Sequence, residues 1–239
     1  MQINPKVKTE YGRLHTVVVG VARDMGGIPS VEDCYDARSR ESVLLETFPT
    51  QEDCIDQVTR LVERLKSLGV DVLRPSVLDK TNQIFTRDIG FVIDNQFILP
   101  NIIEDRQEEL GAIEFLLNAI PSSNIIMLPI DCFAEGGDII LHNTHVFVGV
   151  SNNETFETYQ TARTNSIGFD YLQDEFPALK FKAFELFKDD TNPRKGSLHL
   201  DCAFQPIGDA LLFAPHLFKK TGDIAWIENY FGKENIFYC

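Results

Sequence analysis

Three stretches of the chain share one layout, in which an acidic residue stands just before two apolar runs separated by a turn. Phe91-Val92-Ile93 and Phe97-Ile98-Leu99 flank Asp94-Asn95, the apolar run from Ile139 to Gly149 breaks at Asn143-Thr144, and the run from Cys202 to Phe213 breaks near Gly208-Asp209. β-Branched and aromatic residues on both sides of such pairs predict β-hairpins. After each hairpin the apolar spacing becomes helical, over residues 104–119, within 166–174 and around 222–230. A further short apolar run then follows each helix, at residues 124–128, 181–186 and 236–238. The fourth unit is expected to open with a strand over residues 198–204. The N-terminal part carries a shorter version: a strand over 14–21, a helix over 50–68 and a strand over 70–73. Thr50 caps that helix, Glu52 and Asp53 occupy its first turn, and Gly69 ends it. Residues 22–49 are long, polar and irregular, which makes them a candidate lid.

The order strand–strand–helix–strand therefore recurs, and the chain reads as α/β with repeated units. Asp88, Asp138 and Asp201 stand at equivalent places in front of the three hairpins. Units set around an axis would bring these hairpin starts together at the centre. An α/β domain with ordinary hairpins accounts for the same pattern without convergence.

Size and charge narrow the function. The chain has 239 residues, enough for one sizeable domain. Its start lacks the apolar segment of a secretory signal, and no apolar run reaches membrane-spanning length, so a cytoplasmic location is expected. The formal charge of −14, from 36 acids against 22 bases, argues against nucleic acid and suits a small cationic substrate, although solubility alone also explains it. Five scattered cysteines without a CxxC pair indicate reduced thiols, not a disulfide frame or a zinc site.

The acids suggest what that cation is. Carboxylates meeting at strand starts accept the fork of donors that a guanidinium presents. Asp88 and Asp201 are the candidates; either one taken singly is more often a turn or cap residue. Glu135 precedes Gly136-Gly137, a pair that allows close approach of a ligand or simply a tight turn. His199 and Asp201, two apart on an expected strand, would share a face, with Cys202 on the other and poorly placed as a nucleophile. A histidine beside carboxylates can move protons near neutral pH. Arg106 and Arg163 are candidates for holding a substrate carboxylate, or are solvated cations.

Taken together, Glu10-Tyr11-Gly12-Arg13-Leu14, Val17-Val18-Val19-Gly20, Phe85-Thr86-Arg87-Asp88, Glu135-Gly136-Gly137-Asp138, Arg163-Thr164-Asn165 and His199-Leu200-Asp201 resemble, in this order, the guanidino-modifying enzymes of the pentein fold. These are arginine deiminase, dimethylarginine dimethylaminohydrolase and the amidinotransferases. The resemblance implies an α/β propeller of ββαβ modules about a pseudo-fivefold axis, and residues 1–239 as a single catalytic domain. It also implies covalent catalysis by a cysteine, through a thiouronium intermediate. Carried over by motif, Phe85 would stack on the guanidinium and Asp88 and Asp201 would bind its nitrogens. Glu135 would be the catalytic carboxylate, supported by Asp138, and His199 the proton shuttle. Arg106 and Arg163 would hold the amino-acid carboxylate. No cofactor and no metal is implied. The expected partners are the small guanidino substrate and, in a homodimer, a second copy of the chain, with no nucleic acid and no membrane.

The family nucleophile lies in a final module well after the histidine. Here the residues after His199 are used by the fourth unit, and Cys239 sits at the end of an expected strand, the wrong place for it. The expectation is a chain whose C-terminal module is missing, so that activity belongs to the full-length protein. Glu-Gly-Gly-Asp resembles the hydrolase branch, which acts on the guanidinium carbon of arginine or a methylated arginine. Residues 17–22 and 61–75 look more like the transferases, and a silent arginine-binding remnant is a third reading.

Overall fold

The computed structural model describes residues 2–239. The first unit pairs β1 (Thr16–Val18) in parallel with β2 (Asp71–Leu73). Between them lie α1 (Ala37–Leu44) and α2 (Gln51–Ser67). Thr50 caps α2 by accepting the Asp53 amide, and Gly69 ends it with φ +77°, a conformation that favours glycine. The candidate lid is partly ordered by its own helix: Asp36 caps α1 by accepting the Ser39 amide at 2.8 Å.

The next three units repeat one arrangement. β3 (Phe91–Ile93) and β4 (Gln96–Leu99) form a hairpin, and β5 (Ile125–Met127) joins β4 in parallel. Between them the helix expected over 104–119 is broken into a 3-10 turn (Glu104–Arg106), α3 (Glu108–Gly111) and α4 (Glu114–Ala119). Gly111, a weak helix former, stands at the second break. β6 (Ile139–His142) and β7 (His145–Gly149) form the next hairpin. α5 (Asn153–Thr158) and α6 (Ser166–Glu175) then lead to β8 (Lys180–Phe184), parallel to β7. Last come the hairpin of β9 (Phe204–Ile207) and β10 (Ala210–Phe213), α7 (Thr221–Phe231), and β11 (Ile236–Tyr238) parallel to β10.

Two expectations are corrected. Among the described residues the strands form four separate sheets, one of two strands and three of three, and none closes into a barrel or propeller. The fold is α/β with several small mixed sheets, and the propeller about a pseudo-fivefold axis is not what the strand pairing shows. Ladder pairing stops at the third strand of each unit. Neighbouring units meet through side chains and isolated bridges such as Asn101 with Phe133 and Leu186 with Phe218. The second correction concerns residues 198–204. Leu200–Cys202 is a 3-10 turn, and the strand begins only at Phe204. The Leu200 amide is taken by the Asp138 carboxylate at 2.9 Å and the Ala203 amide by the Leu200 carbonyl at 2.9 Å, so neither enters a ladder. His199 and Asp201 therefore do not share a strand face.

The units interlock because the third sheet is buried on both faces. Ile139, Leu141, Val146 and Val148 point into one core with Ile93, Ile98 and Leu172. The alternate residues Ile140 and Phe147 point into another with Phe184, Leu200, Phe204, Phe213 and Phe231. This is the two-residue period of a strand with apolar surroundings on each side. A third core, from Ile89, Phe97, Ile102 and Ile113, is covered by Val18 and Leu73 of the first unit. Phe147 is fully buried and packs against the rings of Phe184, Phe204, Trp226 and Tyr230. Phe147→Ala is expected to lower stability by about 3–5 kcal/mol in urea unfolding, whereas Phe237→Ala, on the exposed face of β11, should stay within about 0.5 kcal/mol.

Candidate active site

The turns before the hairpins place charged side chains in a buried cluster. Glu135 precedes a 3-10 turn over Gly136–Asp138 and is fully buried. Its Oε2 lies 2.8 Å from His199 Nε2. Arg163 Nη1 donates to both Glu135 oxygens, at 3.1 and 3.0 Å. On the other side of the imidazole, Asp88 Oδ1 is 3.7 Å from His199 Nδ1. Asp88, Glu135 and His199 each offer one atom within 4.8 Å of the others. That geometry could hold a cation, yet Arg163 already sits on Glu135, and Arg106 Nη1 donates to Asp88 at 2.7 Å. The positive charge that these acids need is supplied by guanidinium groups of the chain itself.

Both arginines are spent on protein partners. Arg106 Nε and Nη2 donate to the Glu109 carboxylate at 2.7 and 3.1 Å, and Nη2 also reaches the Phe85 carbonyl at 2.9 Å. Arg163 Nε donates to the Gln160 carbonyl at 2.7 Å and Nη2 to the Tyr35 carbonyl at 2.8 Å, beneath the Tyr35 ring. As they stand, these donors position Asp88 and Glu135. Phe85, by contrast, is 59% exposed. Asp138 is buried and takes the Thr164 hydroxyl at 2.8 Å besides the Leu200 amide. Asp201 is half-buried and lies 3.2 Å from Arg87 Nε.

The glycine pair works through close approach. A Cβ at Gly137 would fall 2.5 Å from His199 Nδ1, and one at Gly136 would fall 2.0 Å from the Arg87 carbonyl oxygen. These two residues let the turn lie flat against the imidazole and the stretch that carries Asp88.

Burial disfavours charge on every group here, and partners decide the outcome. Burial would raise Glu135, but the His199 hydrogen bond and the Arg163 and Arg106 cations hold it at about 2. Burial would weaken His199 as a base, but Glu135, Asp88 and Asp138 together raise its pKa. Asp138 and Asp201 are both raised, chiefly by burial. Cys202 keeps an exposed edge, yet crowding around its sulfur and the adjacent Asp201 carboxylate push its thiol up to about 12, the wrong direction for a nucleophile. The thiols of Cys34, Cys54 and Cys132 are also raised by burial.

Several partners of the cluster were not singled out from the sequence. Arg87 bonds Glu10 at 3.1 Å, the Ile139 carbonyl at 2.8 Å and Asp201, tying three stretches together; its signal was its place inside Phe85-Thr86-Arg87-Asp88. Glu109 is three residues from Arg106, a spacing that brings side chains together on a helix. Tyr35 carries no local signal, since its role depends on where residues 22–49 fold back. A cavity of about 270 Å³ lies beside that loop and reaches Tyr35, Arg106 and Glu109.

Gly137→Ala should displace His199 and lower its raised imidazole pKa toward the ordinary value, as read by NMR titration of the ring protons. A folded pKa of about 2 for Glu135, below its ordinary 4.5, gives stability above pH 4.5 that is lost as pH falls toward 2. A raised folded pKa for His199 gives stability that is fully present below its ordinary 6.5 and is lost as pH rises through the raised value. The gap in urea midpoint between wild type and His199→Gln should therefore be widest between these limits and close at alkaline pH. A gap that widens with pH would contradict the assignment.

Comparison with known proteins gives the family. The family model described as "N,N dimethylarginine dimethylhydrolase, eukaryotic" matches residues 34–216. The YkgA protein of Bacillus subtilis (strain 168) is 29% identical over 221 residues, which is 91% of this chain and 68% of that protein. Among solved structures, the N-terminal domain of the cyanobacterial arginine dihydrolase ArgZ superposes with a TM-score of 0.71 at 18% identity, over 94% of this chain and 75% of that one. Dimethylarginine dimethylaminohydrolase (DDAH) from Pseudomonas aeruginosa gives 0.65 at 17% identity, over 94% and 76%. The inosamine-phosphate amidinotransferase StrB1 from Streptomyces griseus gives 0.68 at 15%, over 100% and 76%. These last three similarities concern the fold. The family match, which spans most of the chain, shows that this protein belongs to the N,N dimethylarginine dimethylhydrolase family, within the pentein superfamily of guanidino-group-modifying hydrolases and amidinotransferases.

Proposed function

We propose that the protein takes part in hydrolysis at the guanidinium carbon of arginine or a methylated arginine. The observation that carries this reading is the buried imidazole of His199, 2.8 Å from Glu135 and 3.7 Å from Asp88. A histidine whose proton affinity is raised by two flanking carboxylates is suited to give a proton to a departing amine. Once neutral, it is suited to take one from the water that follows. Asp88 and Asp201 are the proposed acceptors of the substrate nitrogens, and Phe85, with its exposed ring, the proposed stacking surface. Arg106 and Arg163 are proposed to act through Asp88 and Glu135; a substrate carboxylate would have to displace the bonds they now make.

In the covalent route, a cysteine thiolate adds to the guanidinium carbon, and the C–N bond to the amine breaks as His199 protonates it. Water then adds to the thiouronium carbon, His199 takes its proton, and the C–S bond breaks to return the thiolate. The four thiols with raised pKa values are not assigned to that step. Amidino transfer is the second reading, supported by the fold shared with StrB1, and arginine binding without turnover is the third.

The test is product analysis of the full-length protein with arginine and with dimethylarginine. Citrulline with ammonia, or citrulline with dimethylamine, is the expected result, reduced at least about 100-fold in Glu135→Gln and His199→Ala. Ornithine formed only with an acceptor amine would replace hydrolysis by transfer, and saturable arginine binding without turnover would leave a binding protein.

A further inference from the structure

Lys188 is a half-buried cation that the proposed reaction does not use. It lies in the segment between β8 and the turn that carries His199. Its Nζ donates to the Ser197 carbonyl at 3.0 Å and the Leu198 carbonyl at 2.6 Å, the two peptides directly before His199. The peptide directly after His199 is held from the other side, because the Leu200 amide donates to Asp138 at 2.9 Å. The Ser197 hydroxyl closes the segment on the His199 carbonyl at 2.8 Å. Gly196 allows this fold-back, since a Cβ there would fall 2.5 Å from the Asp189 amide nitrogen.

The same loop also serves the arginine on Glu135. Asp190 accepts the Gln160 amide at 3.1 Å and the Thr161 amide and hydroxyl at 2.9 and 2.7 Å. The Gln160 carbonyl is in turn the acceptor of Arg163 Nε. One segment therefore grips the backbone of His199 with a cation and the turn before Arg163 with an anion.

We propose that Lys188 is a positioning residue for His199, fixing the imidazole on Glu135 by holding the two preceding carbonyls while Asp138 holds the following amide. The proposal rests on the reading of His199 as the acid–base group. Burial without a paired carboxylate is a costly place for an ammonium, and two strong carbonyl contacts at one catalytic backbone are what it gains there. The charged groups acting on Lys188 are Asp138, Glu135 and Arg163, with the Cys202 thiol nearby; those acting on His199 are Glu135, Asp88 and Asp138.

The experiment is an NMR titration of the His199 ring in the 239-residue chain, comparing wild type with Lys188→Met, Lys188→Gln and Asp189→Ala. Asp189 accepts three hydrogen bonds inside the loop from Thr191 and Asn192 and makes none to His199, so its variant reports loop loosening alone. Expected is a His199 midpoint that returns toward about 6.5 in both Lys188 variants and stays raised in Asp189→Ala. A midpoint that rises in the Lys188 variants would show only a lost through-space charge and would overturn the proposal. So would an equal fall in Asp189→Ala, or the failure of both Lys188 variants to fold, which would make Lys188 a determinant of the fold instead. Turnover of arginine and dimethylarginine by the full-length protein, measured in parallel, tests the functional reading separately, because the titration needs no activity.

Discussion

The site depends on compensation of buried charge. Glu135 has no exposed surface, and His199 and Arg163 almost none. An unpaired carboxylate in that position would be driven to its neutral form. The Arg163 guanidinium, through Nη1, and the His199 imidazole prevent this, and each is fixed in turn by backbone partners. Arg163 is tied to the Gln160 and Tyr35 carbonyls, and His199 lies between peptides bonded to Lys188 and Asp138. Losing any one member leaves the others with uncompensated charge, which costs far more than a surface ion pair.

The fold makes this compensation affordable by bringing the turns together from rigid supports. β6 and β7 feed apolar side chains into two cores at once, so the turn that begins with Glu135 is anchored from both sides. Arg87 then spans the gap between units, reaching Glu10, the Ile139 carbonyl and Asp201. Among the described residues no sheet runs from one unit to the next, and this arginine, with the isolated bridges, does part of the work that strand pairing does inside each unit.

Local pattern carried much of this. The hairpin turns at Asp94-Asn95 and Asn143-Thr144 were legible because Asp94 and Asn143 adopt positive φ, which their side chains tolerate. The strands of the repeat were legible from their β-branched and aromatic runs, and Asp88, Glu135 and His199 could be singled out from their motifs. What depended on distant partners was not. Residues 198–204 have strand composition, yet the Asp138 carboxylate captures the Leu200 amide and turns the chain. The helix over 104–119 breaks although its periodicity continues. Arg106 and Arg163 could be singled out as cations from the sequence, but not as cations already occupied by Glu109, Asp88 and Glu135. The closed propeller was inferred from resemblance, and hydrogen bonding limits each sheet to its own unit.

The charge balance also bears on the proposed chemistry. Arg106 is shared between Asp88 and Glu109 and Arg163 serves Glu135, so negative charge remains beside His199, and against the cost of burial Glu135, Asp88 and Asp138 raise its proton affinity. A guanidinium placed on Asp88 would bring a further cation near the protonated imidazole, and like charges in a low-dielectric site repel strongly. Substrate binding would thus weaken the hold of His199 on its proton at the moment a leaving amine needs one. The carboxylates that raise the proton affinity of the imidazole are the ones a guanidinium would draw on, so in the proposed reaction ligand binding and proton release would be coupled through Asp88.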